Sequence, residues 1–343
     1  MLIQFNLFSD YLKMAGDKLH PEEINHWRAT VDLTPCSPSP IGGPEFSGTM
    51  EMAVGRTVLI NSDDLLIPLF KAEETMLKFI KCDSFSGVRF NSLLGDLKTG
   101  DQLHKLLKKL PRHAFIHLSI PEQIYKKYDA LFRRFNLNPV DRYPYYVVDL
   151  PASHDEWFNR PGICRGNIRR AQKSGVKIEF GGQKLLNDFY SMYRHSYKRW
   201  REQNRSYTAH NFERFKRIFD LHGSKARVAL AKHDGKTVAS AIFIAYETIG
   251  ATVSAGIDYK FQKMRPVNLL HSEIIKCLIE KKVKKYHLGG EIGGEKLGRF
   301  KKTLGAKKYT SLVLARHRYP KSNRIVSLIK RQKMETILKI VSI

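Results

Sequence analysis

Four cations crowd one short stretch of the chain: Arg165, Arg169, Arg170 and Lys173 fall within about two helical turns. A second basic run, Tyr193–Trp200 (YRHSYKRW), sets Arg199 beside Trp200. Guanidinium groups hold phosphates and carboxylates through paired hydrogen bonds, and one next to an indole can also stack on it. Arg170 and Arg199 are therefore candidates for binding substrate phosphates, with a solvated helix face as the alternative for each. The segment Gly289-Gly290-Glu-Ile-Gly293-Gly294 allows close approach of backbone N–H groups to an anion. Its spacing is neither that of a Walker A loop nor that of the dinucleotide fingerprint. It reads instead as an active-site loop that substrate orders. His287 alternates with Tyr286 in a short strand and reads as a core histidine, and Cys277 lies on the apolar side of a helix, where packing explains it. No Ser/His/Asp or Cys/His arrangement offers a nucleophile. The cysteines (Cys36, Cys82, Cys164, Cys277) are far apart, with no CxxC pair and no HExxH helix, so neither a metal site nor a disulfide framework is expected.

The elements that must position these residues follow from periodicity and punctuation. Residues 35–50, rich in Pro, Gly and Ser, read as a loop. Short apolar runs at 56–60, 65–70 and 87–90 precede a helix near 100–110, where Leu103, Leu106, Leu107 and Leu110 recur at helical spacing. A strand at 113–120, a helix at 121–135 opened by its proline, and a strand at 143–150 complete a mixed first part. Residues 151–165 carry Pro151 and Pro161 and could hold a domain boundary. Beyond it come the basic helix ended by Gly175, a strand VKIEF, and helices over about 184–200 and 210–221. Then ARVALAKH, a DGK turn, TVASAIFIAYE, a TIG turn and ATVSAGIDY form three strands, the central one apolar throughout, as a strand covered on both faces should be. A loop leads to the helix NLLHSEIIKCLIEKK, the strand KKYHL, the glycine-bearing loop and a final strand at 309–316.

Composition bounds the partners. The chain has 343 residues, 59 of them Lys or Arg and 33 Asp or Glu, a formal charge of +26. Length allows two domains, and 42% hydrophobic with 27% charged residues excludes wholesale disorder. The charge calls for a polyanionic partner: nucleic acid, an anionic membrane face, an acidic carrier protein or a phosphorylated small molecule. No apolar run reaches the roughly 18–20 residues of a membrane span. The N-terminal stretch carries Asp10 within its apolar part and offers no small-residue cleavage site, so no signal peptide is expected and a cytoplasmic protein is.

The order of helices, three-strand meander, helix, strand, loop and strand resembles the GNAT acyltransferase core, and local motifs sharpen it. Asn167–Val176 (NIRRAQKSGV) resembles the "IRxAxKxGV" helix-turn of FemAB-like proteins, and Tyr193–Trp200 the end of their next helix. Asp258-Tyr259 with Pro266–Leu270 resembles their crossing from strand to helix. Leu288-Gly289-Gly290 and Gly298–Gly305 (GRFKKTLG) resemble the family's "LGG…G-x-x-x-FKxxFG" ending, with Leu304 in place of a phenylalanine. The resemblance covers residues 160–316. It implies tandem GNAT-like domains of mixed, mostly antiparallel sheet flanked by helices: a diverged first domain over 1–150, an acyltransferase domain over 151–318, and a basic amphipathic helix over 319–343.

The same resemblance implies transfer of an acyl or aminoacyl group to an amine of a peptidoglycan or polysaccharide precursor. The donor would be acyl-CoA, an acyl carrier protein or aminoacyl-tRNA, with no tightly bound cofactor. Lys301 takes the place of the family's FKxxFG lysine, to steady the oxyanion on the donor carbonyl or hold a donor phosphate. A solvated lysine is the alternative, and Lys302 is its neighbour if the register differs. Tyr259, Gly289, Gly290 and Phe300 join Arg170 and Arg199 as substrate-binding positions. Asp258 and Glu291 are the candidate general bases, the first equally suited to cap a turn and the second to pair with a lysine. At the usual GNAT donor signature stands Gln262-Lys-Met-Arg265-Pro266-Val267, without its glycines, which argues against ordinary acetyl-CoA binding. The tail alternates Ile325, Leu328, Ile329, Ile337, Leu338 and Val341 with Arg and Lys, a pattern that fits the inner membrane face or the protein's own surface. A different class remains open: a non-catalytic basic module holding RNA or an anionic membrane.

Overall fold

A computed structural model of the chain describes residues 3–5, 57–62, 65–76, 80–87, 97–111, 115–202, 210–290 and 294–316. The loop expected at 35–50, the apolar residues 88–90, Glu291 and the basic tail lie outside these residues. Contacts divide the chain into two units. Of the described residues, the first holds 3–5, those within 57–142 and 312–316; the second holds those within 143–311.

In the first unit, β1 (Ile3–Phe5), β2 (Thr57–Ser62), β3 (Leu65–Met76) and β4 (Ile80–Gly87) pair antiparallel in succession. Helix α1 (Gly100–Lys108) begins with a capping box between Thr99 and Gln102 and buries Leu103, Leu106 and Leu107. Strand β5 (Phe115–Pro121) then lies parallel to β4. The single helix expected over 121–135 is two: α2 (Glu122–Lys127) and α3 (Asp129–Arg134). Pro121 closes β5, and Tyr128, at φ −128° and ψ 27°, ends one helix and starts the next. The break lets Tyr125 and Phe132, rings 5.7 Å apart, both face the core. Strand β6 (Asn138–Asp149) starts in this unit and ends in the second.

The second unit opens with α4 (His154–Asn159), which the sequence pattern did not suggest, and continues with α5 (Arg165–Lys173) and β7 (Lys177–Gly181). After α6 (Leu186–Glu202) and α7 (Phe212–His222) come β8 (Ala226–His233), β9 (Lys236–Ala245) and β10 (Ile249–Ile257). Helix α8 (Pro266–Glu280), β11 (Lys285–Gly290), α9 (Glu295–Lys302) and β12 (Lys307–Arg316) complete it, β12 ending in the first unit. The sheet order within the unit is β12, β6, β11, β10, β9, β8, β7. Strands β10 and β11 pair in parallel, while β6–β11 and the β7-to-β10 meander are antiparallel.

Strand β9 is buried from Val238 to Ala245 because both its faces are covered. Ala239, Ala241, Phe243 and Ala245 face the layer with α5 and α8; Ile242 and Ile244 face the layer with α6 and α7. The DGK turn between β8 and β9 puts Asp234 (φ 48°) and Gly235 (φ 74°) in the left-handed region, as a tight hairpin requires. Both units repeat one order, an antiparallel three-strand meander, a helix, then a strand parallel to the last of the three: β2–β3–β4–α1–β5 and β8–β9–β10–α8–β11. The division of the chain falls inside β6 and β12, at 142/143 and 311/312, whereas residues 151–165 pack within the second unit through buried Trp157 and Ile163.

Helix α8 lies close on β10. A Cβ on Gly250 would come within 2.8 Å of both Leu278 methyl carbons. Gly250→Ala is therefore expected to lower unfolding stability by about 1–3 kcal/mol through overpacking, read from urea melts.

Candidate active site

The ladder between β10 and β11 is short. It joins Ile249 to Lys285, Gly250 to Tyr286 and Ala251 to His287, after which β10 runs on to Ile257 and β11 to Gly290 without pairing to each other. Each strand also slips register there, β10 against β9 between Thr252 and Ser254, β11 against β6 between His287 and Gly290. The carboxyl ends of parallel strands that part are where open α/β sheets hold ligands.

Helix α9 brings Lys301 to that point. The lysine is 6% exposed, its Nζ donates to the Gly290 carbonyl at 2.5 Å, and it stands over the Tyr146 ring at 5.6 Å from the centroid. Lys302, one residue on, is exposed. The turn after α9 fixes this register: Gly305 has φ +81°, and the Trp157 indole donates to the Leu304 carbonyl at 3.0 Å. A Cβ on Gly305 would be strained at φ +81° and would also press on Ile163 at 3.0 Å, so the closing position of the FKxxFG-like motif favours glycine. The lysine expected between a loop and a strand thus sits on the last turn of a helix, which holds it more tightly than a loop would.

A buried polar chain lies beneath. The Tyr286 hydroxyl is 2.6 Å from Thr252 Oγ1 and 3.0 Å from His271 Nδ1, and the His271 ring meets Phe300 edge-on at 5.8 Å. Burial, then the charge of Lys301, pushes His271 down to about 3, so the imidazole is neutral at physiological pH. Burial raises Tyr286. Because His271 is held well below its ordinary 6.5, its contribution to stability is complete above that pH and is lost as pH falls toward 3. The urea midpoint is expected to drop between pH 6.5 and 4, less steeply in His271→Gln.

A third group gathers on β6 and β11. Tyr145 stacks on His287 (5.3 Å, 11° between planes) and on Tyr309 (5.5 Å), and burial, then Tyr309, pushes Tyr145 up to about 12. The pattern of residue types gave no signal for Thr252, His271 or Tyr145. His287, read as core, is 2% exposed and accepts the Gly289 N–H on Nδ1 at 3.0 Å.

The remaining candidates fall elsewhere. Arg199, near the end of α6, lies over the ring of Tyr259, which is 40% exposed. Asp258 accepts the Lys260 N–H at 3.0 Å and faces His195 at 3.4 Å, so it caps the turn over residues 259–264. Arg170 is exposed on α5, together with Arg169 and Lys173, while Ile168 and Ala171 face inward. Glu291 lies outside the described residues. The structure thus joins Lys301, Gly289, Gly290 and Phe300, and separately Arg199, Tyr259 and Asp258. Helix α8 relates the two, following the Asp258 turn at one end and reaching Phe300 through His271.

At the start of α8, Arg265 is left-handed (φ 60°, ψ 39°), a conformation that favours glycine, and Pro266 at the first helical position brings no N–H. Asn268, buried in the first turn, donates to Cys164 Sγ at 3.1 Å. The turn into α8 thus carries a guanidinium where a left-handed backbone would ordinarily favour glycine.

Residues 162–302 match the acetyltransferase (GNAT) domain family. They are a GNAT-type acyltransferase domain. The match takes in the meander, α8, β11 and all of α9, Lys301 included. By sequence, no curated protein matches the chain. Among solved structures, the chain is similar to FemX, 12% identical, over 86% of this chain and 96% of that one, with a TM-score of 0.59. It is similar to a conserved protein of unknown function from Bacteroides thetaiotaomicron, 13% identical over 91% and 99%, TM-score 0.57. It is also similar to the C-terminal domain of a putative lysylphosphatidylglycerol synthetase from Agrobacterium fabrum, 12% identical over 94% and 96%, TM-score 0.55. At these identities the likeness is one of fold. Among the described residues, no helix beside or within the GNAT domain is long and apolar enough to cross a membrane, and no group of side chains could hold a metal ion.

Proposed function

We propose that the GNAT domain transfers an acyl or aminoacyl group from a thioester or aminoacyl-tRNA to an amine of a cell-envelope precursor, with Lys301 stabilising the oxyanion. The observation that carries the reading is the seat of Lys301: a buried ammonium on a short helix where two parallel strands part. The amine lone pair attacks the donor carbonyl carbon, and the carbonyl electrons move to oxygen beside the ammonium. Collapse re-forms the carbonyl and expels thiolate or the ribose alkoxide, while the nitrogen gives up its proton and is left as an amide. A fixed, buried cation favours the charged intermediate over the neutral donor. Asp258 and Glu291 are the proposed proton acceptors; Arg170, Arg199 and Tyr259 are proposed to bind the substrates.

The acceptor class is supported by the FemAB-like motifs and the fold likeness to FemX. Arg265 and Pro266 in place of the donor-loop glycines favour a donor other than acetyl-CoA, and the charge of +26 fits tRNA or an acidic carrier protein as the partner that brings it. A panel of labelled acyl-CoAs, charged tRNAs and acyl carrier protein, each offered with amino-sugar nucleotide or peptidoglycan-precursor amines, tests the reading. Turnover with one donor class is expected. Strong binding of every polyanion with no turnover would favour a non-catalytic basic module instead.

A further inference from the structure

We infer that His287 is a positioning residue for Lys301, acting through the bulge at Gly289 and Gly290; the inference rests on the catalytic reading of Lys301. Strand β11 pairs His287 with Val147 and Gly290 with Tyr145, so Leu288 and Gly289 together oppose Tyr146 alone. That extra residue is a β-bulge, and Gly289 adopts φ +74°, the left-handed conformation such bulges use. Just past the bulge Gly290 pairs again, with Tyr145, and its carbonyl accepts from Lys301 Nζ, so the bulge sets where that carbonyl lies. What holds it is the bond from the Gly289 N–H to His287 Nδ1. The imidazole, in turn, is held by the Tyr145 ring stacked on it, and Tyr145 by Tyr309. The line runs from the stack through one ring nitrogen and one peptide to the ammonium.

The arrangement fixes the tautomer. An Nδ1 that accepts from a peptide N–H carries no proton, so the neutral ring holds its hydrogen on Nε2. What the site needs from residue 287 is an acceptor at this one position, with the ring as its carrier. Asparagine can place Oδ1 close to where His287 holds Nδ1; phenylalanine keeps the stack and supplies no acceptor.

The test compares His287→Asn with His287→Phe, reading steady-state kinetics alongside hydrogen exchange of the 286–290 peptide. His287→Asn is expected to keep kcat within about threefold of the native enzyme. His287→Phe should lose about 10–100-fold in kcat with KM little changed, the range typical of losing a group that orients another, and its Gly289 amide should exchange faster. Native kcat in His287→Phe, or equal loss in both variants, would overturn the assignment. If His287→Phe does not fold, Gly289→Ala strains the same bulge at φ +74° without crowding the lysine, its Cβ lying 3.9 Å from Nζ; it must show the same kcat loss. The exchange measurement stands apart from the chemistry. If Lys301→Ala proves fully active, the catalytic reading has failed, while faster exchange in His287→Phe still reports whether the imidazole holds the bulge.

Discussion

Lys301→Ala is expected to lower kcat by about 10²–10³-fold, the scale seen when a single oxyanion donor is removed, with KM for both substrates changed far less. The ammonium is buried, directed by the Gly290 carbonyl and backed by the Tyr146 ring, so its charge acts at one place. Desolvation makes that charge count: at the effective dielectric of protein sites the same interaction is worth about four times its value in bulk water. Lys301→Arg is expected to fail as well, since a planar guanidinium needs more room and more acceptors than this seat offers. Lys301→Met keeps the length and the apolar stem, so a folded but inactive methionine variant separates chemistry from packing. Exposed Lys302→Ala should turn over as the native protein does. Reversal of the two lysines would show that the register read from α9 is not the working one.

The largest expected loss of stability comes from Trp157→Ala. The indole is fully buried, packs near His154 and Phe158, and donates to Leu304 at the turn that follows α9. Truncation leaves a cavity and an unsatisfied carbonyl, for which about 3–5 kcal/mol is expected. Trp157→Phe keeps most of the volume and removes the hydrogen bond, for which about 1 kcal/mol is expected. Because that turn also fixes the last helical turn of α9, both variants should lose activity at temperatures where they remain folded. Urea melts and kinetics on the same samples check this. A Trp157→Phe variant of native activity would show that the turn does not set the lysine.

Much of this could be read from the chain before any coordinates. The meander declared itself because β9 is apolar on both faces and a DG turn leaves few alternatives. Helix α8 was legible from its apolar spacing. The motif ending GRFKKTLG points to Lys301, and the structure adds why that ending closes on glycine: Gly305 is left-handed at φ +81° and sits tight against Ile163. Helices α2 and α3 merged into one because local periodicity does not show a turn made by a single residue, Tyr128, for the sake of two rings seven positions apart. The chain Thr252–Tyr286–His271 joins three elements distant in sequence, so no spacing rule could assemble it. The alternation around His287 shows that it is buried, but its bond to Gly289 depends on a bulge that arises only from pairing with β6. Asp258 fits a base or a cap equally by its sequence position; in the structure its carboxylate caps the turn before α8, alongside the proton-acceptor role proposed for it.

The most direct measurement follows a labelled acyl group from donor to acceptor with the native protein and Lys301→Met side by side. The account predicts that the native protein leaves the label on the acceptor nitrogen as an amide, stable to hydroxylamine, and that the methionine variant, equally folded, transfers it about a hundredfold or more slowly. Label released only to water, or passed to nitrogen as fast by Lys301→Met as by the native protein, would contradict it.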